Sequence, residues 1–236
     1  MKNSNKVLLT VIVCFLLGTI FVAATTRAHL FTSGKFIKYT EPTGKNITKN
    51  FNVGDFSELD MSGFGHVLIK AGEQSSVTVS ADEGYISNIA VSLTRGSLNI
   101  NTEEQGVRWQ HEKKVDITII TNHPLEKITL NGASHLDYAN INGNSLVLEM
   151  NGASHCNLAG KVNSLHIETN GASHVNAKNL MANDVNLETA GASDIAVYAN
   201  NSLKIHAAGM ANINYYGNPK NVVRDVAGMA SINSVS

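Results

Sequence analysis

The sequence predicts an all-β protein: a parallel β-helix wound in coils of about 19–20 residues, preceded by an N-terminal transmembrane or signal helix. Three observations lead there: a short motif recurring at near-constant spacing, apolar and polar residues alternating around it, and an uncharged apolar run near the N-terminus. The motif is Asn131-Gly132-Ala133-Ser134-His135, spelled again at Asn151–His155 and Asn170–His174. Drifted copies stand at Ala190–Asp194, Ala208–Asn212 and Ala227–Ser231. The glycines at 132, 152, 171, 191, 209 and 228 are 20, 19, 20, 18 and 19 residues apart, and such a period marks a repeat architecture.

Counted from each Gly, positions minus 6 and minus 4 carry Leu146/Leu148, Leu165/Ile167, Val185/Leu187 and Leu203/Ile205. Position plus 4 reads Leu136, Cys156, Val175, Ile195, Ile213 and Ile232. Odd offsets carry Lys127, Glu149, Glu168, Glu188, Asp137, Asn157 and Asn176. Period 2 is the strand signal, apolar face in and polar face out. Asn-Gly also suits an antiparallel hairpin, which would give a meander. Stacking in one direction explains the repeat better, because like residues then fall above one another about 4.8 Å apart. Gly serves the corners, where positive φ is needed. Asn131, Asn151 and Asn170 are placed to pass hydrogen bonds along the stack. Regular repeats are expected over residues 125–236, with the structural positions Asn131, Gly132, Asn151, Gly152, Asn170, Gly171, Gly191, Gly209 and Gly228.

In chain order, Lys2 and Lys6 precede Val7 to Ala24, a run with no charge. Residues 1–28 therefore read as a membrane anchor, or as a signal peptide cleaved near Ala23, Ala24 or Ala28. Either way the lysines stay inside and the rest lies outside the cytoplasm, at an inner membrane, in a periplasm or on the cell surface. Residues 29–50 read as a linker and 51–236 as the folded domain. Leu59 to Ile69 is a distant copy of the repeat, with Gly63 at the corner and His66 at plus 3. Strands follow at Val77–Val79, Ile89–Leu93, Leu98–Ile100 and Val115–Ile120, and Thr102 to Lys114, with the only Trp (Trp109), reads as a surface excursion. The last copy carries Arg224 at an inward position, as terminal repeats often depart from pattern. Cys14 and Cys156 leave the exported part no internal disulfide, and Cys156 reads as a small buried hydrophobe.

Phe51 to Ile69, Val77-Thr78-Val79, Gly96 to Ile100 and the Asn-Gly-Ala-Ser copies together resemble the auto-transporter adhesin head GIN domain family, over about residues 50 to 236. The resemblance implies a right-handed, exported β-helical domain of the kind common in Bacteroidetes-type bacteria. It implies no catalytic residue.

One column invites chemistry: His135, His155, His174 and Asp194 at plus 3. Neighbouring imidazoles could share a transition metal, but three collinear rungs spread over roughly 9–10 Å cannot surround one ion. An exposed polar ladder is the favoured reading. Ser134, Ser154, Ser173 and Ser193 become Ala211 and Ala230, which a structural position tolerates and a nucleophile does not. Glu149, Glu168 and Glu188 stack at minus 3, as a solvated face or a hard-cation site. With a net charge of −1, no basic stripe suggests nucleic acid. No P-loop, nucleophile elbow or His-Glu-x-x-His occurs. The expectation is a non-catalytic binding, adhesion or envelope-scaffold module without a cofactor, meeting the membrane through its N-terminal helix and either itself or an envelope partner through its stack. The alternatives are a polysaccharide-acting enzyme and metal binding through the His ladder.

Overall fold

The computed structural model describes residues 38–40, 43–103, 107–109 and 114–235. In chain order the strands are β1 (Lys38–Thr40), β2 (Asn46–Asn52), β3 (Glu58–Ala71), β4 (Ser76–Asp82), β5 (Ala90–Thr94), β6 (Ser97–Asn101) and β7 (Val107–Trp109). They continue with β8 (Asp116–Thr121), β9 (Lys127–Asn142), β10 (Ser145–Gly152), β11 (His155–Gly171), β12 (His174–Tyr216) and β13 (Asn221–Ser234). A single 3-10 turn, Ile86–Asn88, is the only helical element among the described residues. Strands β1 and β7 pair with each other as a two-stranded sheet.

The other eleven strands form one mixed sheet in the order β13-β12-β11-β10-β9-β3-β8-β4-β2, with β6 also beside β3 and β5 beside β6. This corrects the expected right-handed parallel β-helix preceded by a helix. Pairing is parallel from β9 through β13 and where β3 meets β6, β8 and β9, but β2 with β4, β4 with β8 and β5 with β6 run antiparallel. The physical reason lies in the turns before residue 125, which reverse the chain instead of carrying it on. Between β5 and β6, Arg95 and Gly96 both take positive φ (52° and 81°), the geometry of a two-residue hairpin turn. The N-terminal helix read over residues 1–28 lies outside the described residues. Among those described, no helix is long and apolar enough to cross a membrane. Strand β2 starts at Asn46, ahead of Phe51 where the domain was expected to open.

The Asn-Gly corners do not close hairpins. Asn131 and Gly132 sit inside continuous β9, and successive copies pair in parallel with like on like: Gly132 with Gly152, Gly152 with Gly171, Gly171 with Gly191. Strand β3 joins the same register, Gly63 opposite Gly132 and His66 opposite His135. The contact between copies is backbone on backbone. Gly152 has φ 128°, and a Cβ there would lie 2.3 Å from the carbonyl oxygen of Gly132. Only glycine fits such an approach.

The alternation does the remaining work. Leu146, Leu148, Leu165, Ile167, Leu187 and Ile205 are fully buried, and each contributes about 1.5–3 kcal/mol of apolar transfer. Cys156 belongs to this core, and burial pushes its thiol far above the usual range, so it is chemically silent. Where the inward column switches from Leu130 and Met150 to Thr169 and Thr189, the hydroxyls bond each other at 2.9 Å, and both meet Ser193 at 3.1 Å. Thr102, read as the start of a surface excursion, is buried. Its hydroxyl donates to the Phe64 carbonyl (2.7 Å) and accepts from the Phe64 amide (2.8 Å), bracing the first corner.

Candidate functional site

Because every copy turns its corner at the same place, the residues after each Gly make columns that line a long open groove of about 1290 Å³. Exposed Ala133, Ala153, Ala172 and Ala192 line it, beside buried Ser134, Ser154, Ser173 and Ser193. The imidazoles of His66, His135, His155 and His174 follow as the next column, and Asp116 and Asp194 stand at its two ends. The later copies add Met210 and Met229. Ser154 and Ser193 brace the fold: Ser154 Oγ donates to the Gly132 carbonyl at 3.2 Å and accepts from the Ser134 amide at 3.1 Å, and Ser193 Oγ meets the Thr169 and Thr189 hydroxyls.

The structure brings His135, His155 and His174 together as a stack. Their ring centroids are 4.5 and 4.4 Å apart, with planes within 5° and 15° of parallel. Parallel rings point their nitrogen lone pairs side by side, not at a common centre, so the stack alone is poor geometry for a shared ion. Asp194 pairs with His174 Nδ1 at 3.2 Å. Burial holds the His155 imidazole below its usual pKa, the neighbouring His174 and His135 add to this, and the Asn157 hydrogen bond opposes it.

At the other end the geometry changes. His66 meets His135 edge-on, with planes 68° apart and centroids 5.0 Å apart. Both turn Nε2 toward one atom, Asp137 Oδ2, at 2.8 Å from His66 and 3.3 Å from His135. Asn157 Nδ2 donates to the other oxygen, Oδ1, at 2.7 Å. Burial would raise the Asp137 carboxyl, but the hydrogen bonds from His66 and Asn157 and the charge of His135 outweigh it and hold it below its usual value. Sequence reading placed His66 in the column but missed Asp137. The signal was present: at plus 5, where copies two and three carry Asn157 and Asn176, the first copy alone carries an acid.

The remaining candidates sit as follows. Asn151 donates to Asn131 at 3.0 Å and Asn170 to Asn151 at 3.2 Å, and Asn131 continues the ladder to Asp60 at 3.3 Å. A second ladder, Asn163 to Asn144 (2.8 Å) and Asn183 to Asn163 (3.2 Å), runs along the links between copies. Glu149 pairs with Lys127 at 2.7 Å, while Glu168 and Glu188 take amide donors from Asn170 and Asn186. Among the described residues, the only three His, Cys, Asp or Glu side chains whose ligand atoms converge within 4.8 Å are His66, His135 and Asp137.

Residues 55–219 match the family described as "putative auto-transporter adhesin, head GIN domain". A crystal structure of a putative adhesin from Bacteroides fragilis shares the fold, with a TM-score of 0.67 at 20% identity, over 83% of this chain and 100% of that one. A putative adhesin from Parabacteroides distasonis aligns over 84% of this chain and 100% of its own at 16% identity and a TM-score of 0.49. A putative lipid binding protein from the same organism aligns over the same shares at 16% identity and a TM-score of 0.46. No curated protein matches the chain significantly.

Proposed function

We propose, on the premise that this chain belongs to the putative auto-transporter adhesin head GIN domain family, that it is an extracytoplasmic binding module and not a catalyst. The observation that carries the reading is the groove, a strip of small exposed side chains edged by imidazoles and repeated from rung to rung. Such a strip offers an extended partner the same contacts at each step, about 4.8 Å apart. The uncharged run from Val7 to Ala24 behind Lys2 and Lys6 supports delivery across a membrane, with the domain held at the envelope by that run or released from it.

An enzymatic groove would need paired carboxylates. The two carboxylates that line the groove, Asp116 and Asp194, stand five strand spacings apart, about 24 Å, whereas glycoside hydrolysis uses pairs about 5–9.5 Å apart. Asp137 is held ionised by its two imidazoles and offers no proton. The test is cosedimentation of the full chain with isolated bacterial envelope fragments. Ala153→Trp and Ala172→Trp fill the groove without touching the core and should lower retention about tenfold, or 1.4 kcal/mol. Equal retention of both variants refutes the groove. Cleavage of a glycan panel that Asp116→Asn stops would put an enzyme in its place.

A second reading, self-association, is favoured by β13. This strand ends the sheet order and exposes Val223 (57%), Val226 (42%) and Met229 (75%) beside a row of backbone groups that no other described strand pairs with. A second copy offering its own β13 would cover both edges at once. Analytical ultracentrifugation should show a dimer that Val223→Lys dissociates, and a monomer at every concentration would refute it.

A further inference from the structure

We propose that His66, His135 and Asp137 form a binding site for a zinc-class divalent cation, with the fourth coordination position left to water or to a ligand in the groove. The three ligand atoms already lie within 4.8 Å of one another. Each imidazole Nε2 stands 2.8 or 3.3 Å from Asp137 Oδ2. Zinc with bonds of about 2.0–2.1 Å sets tetrahedral donors roughly 3.3 Å apart, so small rotations of half-exposed side chains suffice. The 68° between the His66 and His135 rings lets their lone pairs converge, which the parallel rings of His155 and His174 do not.

The surroundings orient these ligands as metal sites require. Asn157 occupies Asp137 Oδ1 at 2.7 Å and leaves Oδ2 for the ion. Asp116 Oδ1 lies 3.8 Å from His66 Nδ1, beyond hydrogen-bond distance but near enough to add negative charge beside the ligand, with Lys114 3.3 Å from its other oxygen. The ligands stand on adjacent strands, β3 and β9, locked by the Gly63–Gly132 register, so the scaffold is rigid. Two imidazoles and one carboxylate select zinc, nickel or copper over calcium and magnesium, which want oxygen alone. The alternative for the same atoms is a metal-free carboxylate shared by two imidazole N–H donors. The site does not depend on what the groove binds.

The experiment is calorimetric titration of the metal-stripped full chain with zinc sulfate, and separately with calcium chloride. One zinc per chain is expected, with no calcium uptake. Asp137→Asn keeps the shape of the side chain, and His66→Ala removes one ligand. Each should weaken zinc binding by at least about 10–100-fold, the scale already seen when only an outer-shell partner of a ligand is lost, while His174→Ala leaves it unchanged. Imidazole resonances of His66 and His135 should shift on zinc addition, and that of His174 should not. Absence of zinc uptake overturns the site, as does uptake that Asp137→Asn and His66→Ala leave intact. Loss of uptake in His174→Ala would move the ion to the stacked column and equally overturn it.

Discussion

The copies that spell Asn-Gly-Ala-Ser-His and the two that end the chain, Ala-Gly-Met-Ala, turn the same corner with different side chains. Gly152 and Gly171 have φ of 128° and 131°, and Gly209 and Gly228 have 120° and 125°. An added Cβ would meet the previous glycine's carbonyl oxygen at 2.3 Å in the first pair and at 2.5 Å in the second. Around this fixed point the side chains change freely. Asn at minus 1 becomes Ala208 and Ala227, Ser at plus 2 becomes Ala211 and Ala230, and Ala at plus 1 becomes Met210 and Met229, 59% and 75% exposed. The backbone contact is what the repeat preserves, and the columns beside it carry whatever chemistry each rung needs.

The largest expected effect tests that difference in its simplest form. Gly152 lies between Gly132 and Gly171 in the pairing, so neither neighbour can retreat from an added methyl. Gly152→Ala should cost more than about 4 kcal/mol, or prevent folding, because steric overlap adds to a strained positive φ. Gly228 meets the same overlap, but β13 is the sheet edge and can shift outward. Gly228→Ala should cost about 1–2 kcal/mol, mainly the φ strain. Urea midpoints of the two variants decide it. Equal losses would mean the last rung is held as tightly as the middle ones.

Much of this was legible from the sequence, and the part that was not has a physical reason. The period of the glycines and the even-offset apolar residues placed the strands from residue 127 onward, because both signals come from local geometry. The strands at β4, β5, β6 and β8 were read too, but their antiparallel pairing escaped because its cues are weak. Arg95-Gly96 does the work that Asn-Gly or Asp-Gly usually announces, and β4 finds β2 and β8 through pairings distant in sequence. Thr102 looked like loop because its partners, the Phe64 amide and carbonyl, are 38 residues away. For the same reason the histidine column was visible but its meeting with Asp137 was not. That meeting depends on β3 stacking directly on β9: the pattern marks β3 as a copy of the repeat, but not which copy it stacks on across the intervening residues 72–126.

Leu148 and Val226 occupy inward columns, yet Leu148 is fully buried and Val226 is 42% exposed because no further rung among the described residues covers it. Leu148→Ala should cost about 3–5 kcal/mol through lost transfer energy and the cavity left behind. At dilutions where the chain is monomeric, Val226→Ala should stay within about 0.5 kcal/mol, as at an exposed site. A loss that grows with concentration is what the β13 dimer requires, and a small loss at every concentration would count against that dimer.

The smallest effect separates the rungs by charge. His155 is the middle member of the imidazole stack, where later copies carry Asn212 and Ser231. Burial first, and then the neighbouring His174 and His135, lower its pKa in the folded chain against the pull of Asn157. A group whose folded pKa lies below its unfolded value binds fewer protons when folded. Its contribution is therefore complete above the unfolded value, about 6.5, and is lost as pH falls toward the folded one. His155→Asn copies the side chain of the later rung and removes this titration. With chelator present, the stability of the wild type relative to that variant should fall between pH 7.5 and 5 by a fraction of a kcal/mol, read from urea midpoints. A difference that holds constant across that range would mean that the stack carries its protons without penalty, and the imidazole rungs would then be as indifferent to pH as the asparagine and serine rungs that succeed them.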